Sequence, residues 1–170
     1  KAVASISKNE AQDFRTLATL QQIDRFPLIA VPTTAGTGSE ATKISVLTDS
    51  IAQVKYNPGH VDLIPDVAIL DPVLTVNVPK HVTAFTGIDA LTHAIEAYVS
   101  TKANEVTDFY ALQAIRMISQ SIVKAYHLPT NIHARSKMLL GSYYAGLAFS
   151  NAATNLAHAM GRSIGTKWNL

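Results

Sequence analysis

Strand signals in this chain stop at Asp71-Pro72, and from Pro79 onward every apolar pattern has helical spacing. A parallel sheet covered by helices needs strand and helix to alternate along the chain, so this sequence cannot form one such layer from end to end. It predicts α/β structure over residues 1–78 joined to all-helical structure over 79–170.

Residues 1 to about 24 place Val3, Ile6, Phe14, Leu17 and Leu20 at mixed helical spacing, which fits one or two short helices before Pro27. Leu28-Ile29-Ala30-Val31 is a continuous apolar run closed by Pro32, and Val67-Ala68-Ile69-Leu70 is a second. Both have the pattern of parallel strands buried on two faces. Between them, Ile44 to Thr48 and Gln53 to Tyr56 flank a turn-like Asp49-Ser50 and read as a ribbon, followed by the turn Asn57-Pro58-Gly59. In the helical half, Thr86-Gly87-Ile88 leads into a helix to about Ser100. Asn104 to Tyr126 is a long amphipathic pattern stopped by Pro129. Thr130 or Asn131 caps a helix to about Phe149, and Asn151 to Ile164 forms a last one stopped at Gly165.

Composition removes several classes of function. Only 15% of the 170 residues are charged while 48% are hydrophobic, against a usual charged share of roughly 25%. Much apolar surface must therefore be covered, in part by something outside the chain. With no cysteine there is no disulfide framework, no thiolate nucleophile and no Cys-ligated zinc, so any metal must be held by His, Asp or Glu. Fourteen Lys and Arg against twelve Asp and Glu give a formal +2, and the basic residues are scattered, which argues against nucleic-acid or membrane-surface partners. The run Met138–Gly161 lacks charge, but Ser142, Tyr143, Tyr144, Ser150, Asn151, Thr154, Asn155 and His158 suit a buried helix pair better than a membrane span. KAVASISKNE shows no secretory signal, which makes the cytoplasm the default location. The start at Lys1 and the stop at Asn169-Leu170 read as the two cut ends of a longer protein.

Three segments carry chemistry. In Asp89-Ala90-Leu91-Thr92-His93 the spacing of four turns a helix by roughly 40° and lifts it by about 6 Å, so carboxylate and imidazole share a face. A solvated Asp/His pair is the bland reading. Against it, Ile88, Ala90, Leu91, Ala94, Ile95, Ala97, Tyr98 and Val99 make the helix apolar nearly all round, and a buried Asp/His pair must be compensated, which a divalent cation would do. His158 also sits in an apolar helix, where a hydrogen-bonded core histidine is the commoner case. Asp89, His93 and His158 together would suit Fe(II) or Zn(II). The loop Pro32-Thr33-Thr34-Ala35-Gly36-Thr37-Gly38-Ser39-Glu40 is a candidate phosphate cradle, with Lys55 as a nearby cation. It is neither a P-loop nor a G-x-G-x-x-G, and a plain tight connection is the simpler explanation. His60, His81, His127 and His133 are read as structural, and a serine hydrolase built on Ser39 lacks the G-x-S-x-G elbow.

In order along the chain, VPTTAGTGSEAT, PDVAILDP, TGIDALTHAIEAYVS and GLAFSNAATNLAHAMG closely resemble the iron-containing (group III) alcohol dehydrogenase family from about Phe26 onward. The resemblance implies the C-terminal part of an α/β NAD(P)-binding domain followed by the N-terminal part of an all-helical metal-binding domain. It implies Asp89, His93 and His158 as ligands of Fe2+ or Zn2+. It further implies Thr33, Thr34, Gly36, Thr37 and Thr42 around NAD or NADP, with Lys55 and Leu74 reaching the cofactor. The expected activity is hydride transfer between a small alcohol or aldehyde and nicotinamide, with the metal as Lewis acid, in a homodimer or larger homo-oligomer.

Two parts of the family pattern would lie before Lys1 and after Leu170: the glycine- and serine-rich pyrophosphate loop, and a last metal-binding His. The 170-residue chain is therefore expected to have little or no activity alone. A related glycerol dehydrogenase or sugar-phosphate lyase, and a non-catalytic module acting through assembly, are the alternatives.

Where many members of the family carry a His four residues after the equivalent of His158, this chain has Arg162. A permanent cation cannot shuttle a proton at neutral pH. Arg162 is thus a candidate contact for an anionic substrate group, or the partner of a carboxylate elsewhere. In the intact enzyme, Arg162→His should lower kcat/KM for carboxylated aldehydes relative to neutral ones, and an unchanged ratio would rule out the substrate contact.

Overall fold

The computed structural model describes residues 1–168 apart from 7, 9–13 and 50–53, and gives only the backbone of Ile6, Phe14, Arg15, Leu17, Arg162, Thr166 and Lys167. The first part holds a short helix α1 (Ala2–Ile6), a 3-10 turn at Phe14–Thr19 and four short strands: β1 (Ile29–Ala30), β2 (Leu47–Asp49), β3 (Val54–Tyr56) and β4 (Val67–Ala68). β1 and β4 pair in parallel with Ile29 opposite Val67, and β2 and β3 form an antiparallel ribbon with Leu47 opposite Tyr56. Of the turn read at Asp49-Ser50, Asp49 closes β2 and Ser50 lies outside the described residues.

The two apolar runs are parallel strands as their sequence suggests, but they are not buried on both faces. Ile29 is 61% and Val67 48% exposed, and Val31 and Ile69 are also exposed. Among the described residues no third strand pairs with β1 or β4, and two strands alone cannot shield both faces of a sheet.

The strands are aligned by an ion pair. Arg25 donates from both terminal guanidinium nitrogens to Asp66, at 2.7 and 3.1 Å, and also donates to the carbonyls of Asp62, Phe26 and Ile64. The Asp66 carboxylate in turn accepts the Leu28 amide at 2.7 Å. One bidentate pair thus ties the entry of β1 to the entry of β4.

The second part is a helical bundle: α2 (Lys80–Tyr98), α3 (Glu105–His127) and α4 (Ile132–Ala152) pack on one another, and α5 (Leu156–Trp168) follows. Asn104 and Thr107 form a capping box at the start of α3, and the Asn131 side chain accepts the Ala134 amide at 2.9 Å to cap α4. Glu105 and Asp108 at one end of α3 and Lys124 and His127 at the other complement its dipole. The core is built from small residues: Ala90, Ala94, Ala114, Ala125, Ala134 and Ala145 surround Ile118 and Met138. Small side chains let helix axes approach closely, and the two large ones fill the remaining space. No described helix is long and apolar enough to cross a membrane.

Three expectations about the helices need correction. α2 begins at Lys80 after Pro79, not at Thr86. Gly87 lies inside it because a Cβ there would come within 2.8 Å of Ile122 Cδ1 and 2.9 Å of Met138 Cε. α2 is also not buried all round: Phe85, Ile88, Ile95 and Tyr98 are exposed, as is Val99 just after it. Finally, α4 continues to Ala152, the chain turns at Ala153 with φ 67°, and α5 starts only at Leu156 and runs past Gly165 to Trp168.

The loop after β1 rests on the bundle through glycines. Gly38 has φ +59°, and a Cβ on it would lie 2.9 Å from the Cα of Gly146. A Cβ on Gly146 would lie 2.8 Å from the Gly38 carbonyl oxygen. The Gly36 position is equally closed by Thr86. These glycines serve backbone-to-helix contact, which fixes the loop against α2 and α4.

Two predictions follow from this packing. Gly146→Ala meets rigid backbone and should destabilise the chain by about 1–3 kcal/mol in urea unfolding. Gly87→Ala meets only flexible side-chain ends and gains helix propensity, so its effect should stay within about 1 kcal/mol; the opposite order would contradict the packing described. The second concerns acid. Arg25, foremost, and the Leu28 amide hold the Asp66 carboxyl down to about 2. Its folded pKa lies below the unfolded value, so the stability it adds is complete above about pH 4 and is lost as pH falls through about 2. The thermal midpoint of Asp66→Asn should therefore lie below that of the parent at neutral pH, and the gap should close across that window.

Candidate functional site

α2 carries Asp89, His93 and Glu96 at i, i+4 and i+7, one stripe along a helix. The stripe faces α5, which brings His158 against it. Asp89, His93 and His158 each offer a ligand atom, and these atoms lie within 4.8 Å of one another. His93 Nδ1 is 3.7 Å from Asp89 Oδ2, and His158 Nε2 is 3.4 Å from Asp89 Oδ1. Neither nitrogen has a hydrogen-bond partner although both are buried. Two orphaned imidazole nitrogens thus face the two oxygens of one carboxylate.

The His93 ring is stacked between Phe149, at 4.2 Å, and His158, at 4.1 Å. Burial pushes its pKa down to about 4, against the pull of Asp89, so at neutral pH the ring is uncharged. The Asp89 carboxylate and then Glu96 raise the pKa of His158 against the effect of its burial. A divalent ion placed among these groups would compete with protons for the same nitrogens.

Sequence reasoning missed Glu96. It is 6% exposed; burial pushes its carboxyl up, while hydrogen bonds from the Asn155 and Ala157 amides and from His158 hold it below the usual range. The signal was available: a third polar residue at i+7 from Asp89, on the same face of an otherwise apolar helix.

A cavity of about 800 Å³ opens in front of this cluster. Its walls include Asp89, His93 and His158 together with Thr37, Thr42 and Lys55, and Ile29 and Ala30 of β1. This volume lies in the range of small-molecule and cofactor sites. A second cavity of about 530 Å³ shares Asp89, His158 and Lys55 and continues along Gly161 and Gly165 of α5.

The residues named for a dinucleotide separate into two groups. Thr37, Thr42 and Lys55 line the large cavity. The Thr42 hydroxyl is also engaged within the fold, donating to the Ser39 carbonyl at 3.4 Å and accepting from Lys1 Nζ at 2.9 Å. Gly36 is buried against Thr86. Thr33 is exposed and does not line the cavity, Thr34 borders a space of about 10 Å³ beside Arg135, and Leu74 is exposed on the 3-10 turn Pro72–Thr75. The side chain of Arg162 lies outside the described residues. Of the histidines set aside as structural, His60 caps the 3-10 turn Val61–Leu63, accepting the Asp62 amide at 3.1 Å.

Residues 1–72 match the family described as "Iron-containing alcohol dehydrogenase", and residues 83–170 match "Fe-containing alcohol dehydrogenase family, C-terminal". The chain is 54% identical over 141 residues to the probable alcohol dehydrogenase EutG of Escherichia coli strain K12, covering 83% of this chain and 36% of that protein. It is 46% identical over 171 residues to long-chain-alcohol dehydrogenase 1 of Geobacillus thermodenitrificans, covering 99% of this chain and 43% of that protein. Among solved structures, 1,3-propanediol oxidoreductase superposes with a TM-score of 0.93 at 40% identity, over 99% of this chain and 44% of that one. The chain spans well under half the length of these relatives. The order of its motifs, the fold that they adopt and these matches agree: the chain belongs to the iron-containing alcohol dehydrogenase family.

Proposed function

We propose that this chain supplies the metal centre and part of the cofactor surface of an NAD(P)-linked alcohol dehydrogenase, with Asp89, His93 and His158 holding a divalent cation. The supporting observation is the pair of buried, unpartnered imidazole nitrogens facing the two Asp89 oxygens. One carboxylate and two imidazoles are a donor set that fits Fe(II) or Zn(II). When bound, such a cation acts as a Lewis acid toward an alcohol or aldehyde oxygen.

The chain's own groups prepare the site for that role. Burial keeps His93 neutral, which leaves a lone pair available for coordination. Phe149 stacks against the His93 ring and holds its plane. Thr37, Thr42 and Lys55 line the same cavity as the cluster, and their hydroxyl and ammonium groups suit the phosphate and ribose of a nicotinamide dinucleotide. Thr33, Thr34, Gly36 and Leu74 complete the cofactor reading through the loop and the turn that follow the strands.

Two neighbours support the cofactor and the substrate class. The NAD-dependent methanol dehydrogenase of Bacillus methanolicus is 44% identical over 144 residues. A sulfoacetaldehyde reductase from Bifidobacterium kashiwanohense, solved in complex with NAD+, has a TM-score of 0.92. The second is named for an aldehyde bearing an anionic group, the class that Arg162 would favour in this chain.

Zinc titration of the chain tests the metal assignment. One site is expected, and Asp89→Asn or His93→Ala should weaken it by at least about a hundredfold, since the loss of a ligand exceeds the loss of a supporting residue. Unchanged affinity in both variants would overturn the assignment. For activity, NAD(P)H-linked reduction of ethanal by the full-length protein should be lost on chelation and return with Fe(II) or Zn(II).

A further inference from the structure

We infer that Glu96 is a positioning residue for the metal centre: its carboxylate fixes the tautomer of His158 and holds the start of α5, so that Nε2 of His158 is the nitrogen presented beside Asp89. The inference rests on the metal assignment above and adds to it a residue outside the Asp89–His93–His158 set.

The geometry is specific. Glu96 Oε2 lies 2.5 Å from His158 Nδ1 and accepts the Asn155 amide at 3.0 Å, while Oε1 accepts the Ala157 amide at 2.7 Å. The Asn155 side chain donates back to the Glu96 carbonyl at 2.8 Å. α5 begins at Leu156, so the carboxylate meets amides of its first turn, where helix N–H groups have no intrahelical acceptor and a negative charge is favoured. A group on α2 thereby caps α5. The turn at Ala153, with φ 67° and ψ 172°, lies in a region that is costly for a residue with a Cβ, and the bonds from Asn155 to Glu96 hold the chain just beyond it.

The tautomer follows from donor and acceptor rules. An ionised carboxylate can only accept, so the imidazole nitrogen 2.5 Å from it must carry hydrogen. In the neutral ring this leaves the lone pair on Nε2, the buried nitrogen without a partner, 3.4 Å from Asp89 Oδ1. A carboxylate behind a coordinating histidine fixes ring orientation and raises ligand basicity. Here the same carboxylate also fixes the helix on which that histidine rides.

Glu96→Gln and Glu96→Ala separate these roles. Oε2 faces both the Asn155 amide and Nδ1, while Oε1 faces the Ala157 amide, so a glutamine oxygen in the Oε2 place satisfies two donors and leaves only the Ala157 amide unmet. Nitrogen NMR of the metal-free chain, at a pH where the ring is neutral, should show the Nδ1–H form of His158 in the parent and in Glu96→Gln, and a shift toward the Nε2–H form in Glu96→Ala. Zinc affinity should fall about 10- to 100-fold in Glu96→Ala and by less in Glu96→Gln. Hydrogen exchange, read in parallel, should stay slow at the Asn155 amide in Glu96→Gln and become fast there in Glu96→Ala, while the Ala157 amide quickens in both. An unchanged tautomer in Glu96→Ala overturns the inference, including the case in which affinity falls only because α5 has loosened; so does an unchanged affinity in that variant. If zinc binding proves independent of Asp89 and His93, the metal assignment fails by itself, and the tautomer result still decides what Glu96 does.

Discussion

Close packing of α2, α3 and α4 through alanine and glycine is the constraint on which the rest depends. Ala90, Ala94, Ala114, Ala125 and Ala145 are fully buried, and at Gly87, Gly141 and Gly146 a single added carbon would meet a neighbour within 2.9 Å. Interiors this dense transmit position: where one helix sits fixes where the next must sit. The same density carries the loop after β1, because Gly38 and Gly36 lie directly on Gly146 and Thr86. The cavity wall and the cluster of Asp89, His93 and His158 are thus registered against each other by backbone contact.

On that frame, α2 serves as the reference element of the site. Asp89 and His93 present ligand atoms from it, and Glu96, one turn further on, reaches α5 and draws His158 into place. A buried carboxylate is costly unless its oxygens are satisfied. Glu96 meets that demand with two amides and an imidazole. Asp89 is more exposed, and the nitrogens facing it are unsatisfied. The two carboxylates differ in what they face: one is saturated by the protein, and the other faces two imidazole nitrogens without hydrogen-bond partners.

Much of this was legible in the residues. The passage from strands to helices before Lys80, the parallel pair of strands, the ribbon, the start of α3 at Asn104, a cap at Thr130 or Asn131 and the Asp89–His93 spacing all follow from periodicity and capping chemistry, which act over a few residues. What misled was burial. The runs Leu28–Val31 and Val67–Leu70 read as strands covered on both faces, yet their apolar side chains are exposed in this chain. Hydrophobicity records that a surface is to be covered, but not by which segment. The start of α2 and the break at Ala153 were also missed, because a helix that passes through Gly87 and an alanine at positive φ are both decided by neighbours distant in sequence.

The sequence by itself determined the element types, the family, and that an Asp and two His were available for a borderline metal. Tertiary structure decided that the three meet, which nitrogen of each imidazole is left without a partner, and that Glu96 stands behind His158. The physical reason is range. Propensity and spacing are local properties of the chain, whereas the meeting of residues 89, 96 and 158 depends on the packing of helices separated by more than fifty residues, and on the bend at Ala153 that returns α5 to α2.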